Sequence, residues 1–217
     1  MYNEERKQIV EAGKKLITDR LTTGTSGNIS IYDAEKKLML ISPSGIGYFD
    51  TKPEDIVVMD LDGKIVEGDK KPSSEWGLHA AMYKTKPNAR AAVHTHSMFC
   101  TVLACLREPL KAAHYVVADS GATCVPCAEY QTYGTPELAK AATEAMGESD
   151  AVLLANHGMI AVGKSLSSAY GLAAGMEYCA EVYYRAMCAG KPYVLPDDEM
   201  RRVIEKFKGY GQVKSTS

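Results

Sequence analysis

Three strand-like runs, at residues 29–32, 37–41 and 56–61, follow one another with only turns between them. Each is rich in Ile, Leu, Val, Met or Tyr, and Asp, Gly and Pro punctuate the intervals. A parallel connection consumes a dozen or more residues, usually as a helix, and these strands are too closely spaced for regular crossovers. The chain is therefore predicted to build a largely antiparallel sheet. Asp62-Gly63 reads as a tight hairpin turn within it.

Helix signals surround these runs. Ile9, Val10, Gly13, Leu16 and Ile17 form one stripe at helical spacing over residues 4–20. Ser73-Ser74-Glu75 precedes Trp76, Ala80 and Tyr83, which predicts a helix opened by a hydroxyl cap with an acidic first turn. Thr135-Pro136-Glu137 opens another, closing near Gly147. Residues 167–189 read as a long helix and 197–208 as a final amphipathic one, while 89–96 and 151–156 read as buried strands. No repeat or linker divides the chain, so one α/β domain over residues 1–217 is expected, with a mobile tail from about 208.

Charge narrows the classes of partner. The 217 residues carry 25 Lys+Arg against 27 Asp+Glu, and no basic cluster stands out, which argues against nucleic acid and anionic membranes. The longest apolar runs, such as Ala151-Val152-Leu153-Leu154-Ala155, fall far short of the roughly 20 residues that span a bilayer. The N-terminus has no apolar core of a secretion signal, so a cytoplasmic protein is expected. Its six cysteines are then expected to be reduced. Cys124-Val125-Pro126-Cys127 precedes strand or loop residues rather than a helix that would lower a thiol pKa, and reads as packing.

The histidines carry more information. His94 and His96 end an apolar strand, and residues two apart on a strand point to one face, so both imidazoles converge. His157 follows a second apolar strand and precedes Gly158, which permits a sharp turn at the sheet's end. Three His and one carboxylate suit a Zn²⁺ with an exchangeable position, and Glu75 at a helix start is the best carboxylate candidate. Spacing alone leaves open the blander reading of packed or surface histidines. His79, four residues beyond Glu75 on the same helix face, is expected to support or pack rather than ligate. Three small polar segments, Gly24-Thr25-Ser26-Gly27-Asn28, Ser42-Pro43-Ser44-Gly45 and Ser73-Ser74, would suit phosphate, because turn and helix-start N–H groups bind anions without Lys or Arg.

Taken in order, seven stretches resemble the class II aldolase/adducin family. They are Gly24-Thr25-Ser26-Gly27-Asn28, Ser42-Pro43-Ser44-Gly45, Pro72-Ser73-Ser74-Glu75-Trp76, Val93-His94-Thr95-His96, His114-Tyr115, Tyr133-Gly134-Thr135 and Asn156-His157-Gly158. The closing Glu205-Lys206-Phe207-Lys208-Gly209-Tyr210-Gly211 adds to a resemblance that runs from about residue 8 to residue 212.

That resemblance implies a three-layer α/β/α fold around a largely antiparallel sheet, assembled as a C4 homotetramer with one zinc per subunit at the interfaces. It implies His94, His96 and His157 as metal ligands, with Glu75 as exchangeable ligand and proton shuttle. Thr25, Asn28, Ser44, Gly45, Ser73 and Ser74 would hold the substrate phosphate. Tyr115 from a neighbouring subunit would be the proton donor, Tyr133 would border the aldehyde pocket, and Tyr210 in the tail would help close the site. The implied reaction cleaves a ketose 1-phosphate, such as L-fuculose 1-phosphate, into dihydroxyacetone phosphate and a small aldehyde such as L-lactaldehyde. Zinc would act as the Lewis acid.

Within the family, ribulose-5-phosphate 4-epimerases carry Asp after the paired serines, whereas this chain has Glu75. Aldolases of 5-deoxypentulose or methylthioribulose 1-phosphates remain open. Non-catalytic adducin-like scaffolds lack the metal histidines. Tyr133 stands where Phe is familiar, and its extra hydroxyl bears on which aldehyde is preferred.

Overall fold

The computed structural model describes residues 1–209. Helix α1 (Asn3–Thr18) leads into β1 (Asn28–Asp33), β2 (Leu38–Ile41), β3 (Val57–Asp60) and β4 (Ile65–Glu67). Then come α2 (Trp76–Thr85), β5 (Ala91–Thr95), α3 (Met98–Leu106), β6 (Leu110–Lys111), β7 (Cys124–Val125) and β8 (Cys127–Ala128). The chain continues through α4 (Pro136–Met146), β9 (Ala151–Leu154), β10 (Gly158–Gly163), α5 (Leu166–Ala189) and α6 (Asp197–Phe207).

Eight strands form one sheet in the order β4-β3-β2-β1-β5-β10-β9-β8. The close succession β1–β2–β3 pairs antiparallel as its spacing predicts, and Asp62-Gly63 turns β3 into β4 with Gly63 at φ +98°. One pair departs from that pattern: β8 runs parallel to β9, because α4 lies between them and supplies the crossover. The sheet is therefore mixed, with an antiparallel majority.

Two cores flank it, one on each face. Ile29, Leu40, Val58, Val93 and Leu153 pack with Ile9, Leu16, Leu103 and Met176, which places α1, α3 and α5 on one side. Met39, Ile41, Val57, Ala92 and Val152 pack instead with Leu78, Met82, Leu138 and Met146 of α2 and α4. Neighbouring strand residues alternate between the two lists, as the two-residue strand period requires, so the layers read α/β/α. No helix among the described residues is long and apolar enough to cross a membrane.

One local expectation needs correction. The helix after the paired serines starts at Trp76, so Glu75 is its cap residue and not part of an acidic first turn. No side chain caps it; the Ser73 hydroxyl accepts from the Glu75 N–H at 3.3 Å instead. Glu75 is thereby placed with its carboxyl free to reach the end of the sheet.

Candidate active site

Even-numbered residues of β5 face the α2 side, so His94 follows Ala92 to that face, paired in register with Asn28 of β1 and Ile160 of β10. The β9–β10 turn brings in His157 through Asn156, which takes φ +55°. Gly158 is required where that turn crosses β5, because a Cβ there would run into the Thr95 carbonyl. Close passage also explains Gly27, at φ +75°, where a Cβ would lie 2.7 Å from the His94 carbonyl oxygen.

The three imidazoles meet edge-on, with ring centroids 4.8–4.9 Å apart. His94 Nε2 lies 3.0 Å from His96 Nε2 and 3.1 Å from Glu75 Oε2, and His157 Nε2 lies 3.4 Å from Glu75 Oε1. One donor atom from each of the four residues falls within 4.8 Å of the others. His94 Nδ1 is 2.9 Å from the Met159 carbonyl, which can only accept, so Nδ1 carries the proton and Nε2 faces the cluster.

Burial by itself disfavours charge on Glu75, but the charge and hydrogen bond of His94, with help from His157 and Asn28, outweigh it and hold the carboxyl well below its usual range. Burial likewise opposes charge on His94, and the Glu75 carboxylate overcomes it and raises the pKa. His96 and His157 are both pushed down to about 4, by burial first and then by the neighbouring His94. The cluster therefore sets a carboxylate among three imidazoles, two of which, His96 and His157, favour the neutral form. With their lone pairs turned inward, the four groups form a donor set that a divalent cation would satisfy. Glu75 Oε1 fits this directly: it is buried and accepts no hydrogen bond.

Beside the cluster opens a cleft of about 430 Å³. Thr25, Asn28, Ser44, Gly45, Ser73 and Ser74 all line it, together with Glu75, His96 and His157. The loops are tied to one another: Ser73 N–H donates to Ser42 O at 3.0 Å, and Ser44 N–H to Lys71 O at 2.9 Å. Among the described residues no Lys or Arg lines the cleft, so an anion would be met there by hydroxyls, amides and the α2 N-terminus. Tyr133 also lines it and is largely exposed. Tyr130, Gln131 and Asn156 also line it. Sequence reasoning singled out none of these three as pocket residues, because irregular segments carry no periodicity that would aim them.

Tyr115 is not brought to this cleft. It opens a 3-10 turn (Tyr115–Ser120), half exposed, stacked on His114 and edge-on to Phe207. Tyr210 lies outside the described residues. His79 does not join the four donors; it is fully buried beneath Asn28, with a pKa lowered to about 3 by burial and then by the charge on His94. The C-x-x-C thiols fall on β7 and β8, and burial raises both. That suits packing, not redox chemistry.

Comparison with known proteins agrees with this geometry. Residues 7–184 match the model of the class II aldolase and adducin N-terminal domain. A 5-deoxy-D-ribulose 1-phosphate aldolase of Bacillus thuringiensis serovar kurstaki is 47% identical over 212 residues, 98% of this chain and 99% of its own. A 5-methylthioribulose-1-phosphate/5-deoxyribulose-1-phosphate aldolase of Rhodospirillum rubrum is 44% identical over 206 residues, 95% of this chain and 92% of its own. Among solved structures, an L-fuculose 1-phosphate aldolase superposes with a TM-score of 0.92 at 49% identity, covering 94% of this chain and 96% of that one. Fold and site together define a metal-dependent aldehyde-lyase. The chain belongs to the class II aldolase and adducin family.

Proposed function

We propose that this enzyme is a zinc-dependent aldolase that cleaves a ketose 1-phosphate between C3 and C4, giving dihydroxyacetone phosphate and a small aldehyde. The observation that carries the reading is the buried Glu75 Oε1, which accepts no hydrogen bond, beside three converging imidazoles, at the wall of a cleft with no Lys or Arg among the described residues that line it. His94, His96, His157 and Glu75 would hold the ion. When bound, Zn²⁺ supplies a Lewis acid that offsets the negative charge left on the three-carbon fragment.

The chain's own residues do the rest. Thr25, Asn28, Ser44, Gly45, Ser73 and Ser74 hold the phosphate through hydroxyls and amides, which fixes the sugar's C2 and C3 against the cluster. Glu75 carries the proton at C3: in condensation it takes that proton from the three-carbon fragment, and in cleavage, protonated from solvent, it delivers one to C3 after the bond breaks. Tyr115 of a neighbouring subunit exchanges a proton with the C4 oxygen, taking it in cleavage and giving it in condensation. Its half-exposed ring, away from the cleft of its own chain, supports a homotetramer in which each subunit completes its neighbour's site. The same reading puts the enzyme in the cytoplasm, where charged sugar phosphates are retained because they do not cross lipid.

For the aldehyde, the named relatives act on terminally deoxygenated sugars, and the exposed rings of Tyr130 and Tyr133 at the cleft suit a methyl end. L-Fuculose 1-phosphate and 5-deoxypentulose 1-phosphates are therefore the substrates to compare, with 5-methylthioribulose 1-phosphate beside them. The test measures dihydroxyacetone phosphate release from each, with chelator-treated and zinc-restored enzyme. Release that disappears on chelation and returns with zinc supports the proposal, and Glu75→Gln should then slow it by roughly a hundredfold or more. Release from none, alongside epimerisation of ribulose 5-phosphate, would overturn it.

A further inference from the structure

Behind the cluster, reached through Asn28, His79, Ser30 and Tyr83 form a chain of side chains that the reaction above does not use. Asn28 Nδ2 donates to Glu75 Oε2 at 3.1 Å, and the Asn28 Oδ1 lies 2.5 Å from His79 Nε2. On the far side of that ring, His79 Nδ1 lies 2.6 Å from the Ser30 hydroxyl, which lies 2.6 Å from the Tyr83 hydroxyl. Ser30 and His79 are completely buried, Asn28 is 3% exposed and Tyr83 5%. Tyr83 is fixed in turn by stacking on Tyr32, with centroids 4.8 Å apart and planes 19° from parallel.

Chemistry gives this chain a single direction. An ionised carboxylate only accepts, so the amide atom facing Glu75 is the Asn28 nitrogen and the oxygen faces His79. That oxygen accepts, so His79 Nε2 carries a hydrogen. A charged imidazole sealed among neutral partners would be costly, so Nδ1 keeps its lone pair and accepts from Ser30. Ser30 has then spent its one proton and accepts from Tyr83. Reversing any link would set two lone pairs or two protons against each other.

We propose that His79 is a positioning residue for the reaction: as its Nε2–H tautomer, held by Ser30 and Tyr83, it locks the Asn28 amide with its nitrogen toward Glu75. Glu75 Oε2 is thereby held while Oε1 stays free for the cluster. Asn28 has a second amide hydrogen and lines the cleft, so the same lock presents a donor to the bound sugar phosphate. A flipped amide would instead aim an oxygen at a carboxylate and turn away both donors. The consequence for catalysis rests on the aldolase reading; the tautomer and the amide orientation do not.

The first experiment uses the unmodified protein without added metal: ¹⁵N NMR of the His79 ring at pH 7.5. Protonated Nε2 with unprotonated Nδ1 is expected, and the opposite tautomer or an imidazolium would overturn the lock. The second compares His79→Gln, whose amide can donate to Asn28 and accept from Ser30, with His79→Leu, which can do neither. His79→Leu should lose roughly tenfold or more in kcat for the best ketose 1-phosphate, with one ion per chain still bound. His79→Gln should recover most of that loss. Equal kcat in the two variants would overturn the proposal. Absence of any aldol cleavage by the wild-type enzyme would overturn the functional reading instead, with the NMR result still deciding the lock.

Discussion

Glu177 offers a sharp test of how the site is held in place. From α5 its carboxylate accepts the backbone N–H groups of Phe99 at 2.8 Å and Cys100 at 2.9 Å. These belong to the first turn of α3, which begins two residues after His96 and has no side-chain cap of its own. Hydrogen bonds to a charged group contribute about 1.5–3 kcal/mol each. An anion at a helix N-terminus adds about 0.3–1 kcal/mol. Both N–H groups are only partly buried, so water recovers some of the loss, and the low end of the sum applies to Glu177→Ala: about 3 kcal/mol. At about 2–4 °C per kcal/mol for a chain of this size, the midpoint should drop by roughly 6–12 °C. Glu177→Gln keeps one accepting oxygen without the charge and should lose about half as much. Urea titrations of chelator-treated protein measure this without metal linkage, which would otherwise add its own stabilisation. The chain between His96 and α3 is short, so Glu177→Ala should also weaken divalent-metal binding in competition with a chromogenic chelator. If both variants unfold within about 0.5 kcal/mol of wild type, the carboxylate is not the cap of α3.

Two further perturbations act on the same region. Gly158→Ala puts a methyl group against the Thr95 carbonyl between the two ligand strands, and should cost about 1–3 kcal/mol in urea unfolding together with lost metal affinity. Unchanged metal affinity would show that the turn can shift without moving His96 and His157. His79 gives a pH dependence: its pKa is about 3 folded and near the ordinary 6.5 unfolded, so unfolding takes up a proton at any pH between these. Its contribution to stability is complete above that ordinary value and is lost as pH falls toward the folded one. Wild-type urea midpoints should therefore fall more steeply on acidification than those of His79→Gln; parallel curves would refute the assignment.

What the sequence disclosed follows from how far apart the interacting residues lie. Period-two patterning put His94 and His96 on one face, and the turn residues around Asp62-Gly63 announced a hairpin, because both signals are local. Strand β10 was not distinguished: its Gly158–Gly163 run is apolar without alternation because helices bury both faces. Helix α3 was missed for a different reason. Ser97 stands at its N-cap position but makes no side-chain cap bond, and the carboxylate that meets its first N–H groups, Glu177, lies 78 residues along the chain. The parallel β8–β9 pair was hidden by generalising from the closely spaced early strands, although α4 supplies the connection there. Glu75 was legible as an acid at a helix start, but its place as the uncapped cap residue was not, since local rules favour a hydroxyl in that role.

That displacement matters to the chemistry. Had a serine hydroxyl capped α2 with Glu75 inside the first turn, the carboxylate would have been spent on helix N–H groups, as acidic residues there usually are. Leaving the cap unfilled costs stability, about 1 kcal/mol by comparison with capped helices. It frees a carboxylate that turns to the histidines. The near-neutral composition is compatible with the proposed phosphate recognition, in which positive potential would come from backbone dipoles and from the ion the four donors suit. Concentrating charge in a removable ion instead of in lysines has a kinetic consequence. Chelation would strip the electrophile while leaving the hydroxyls and amides proposed to hold the phosphate, so a phosphosugar should still bind the metal-free protein, weakly, without being cleaved.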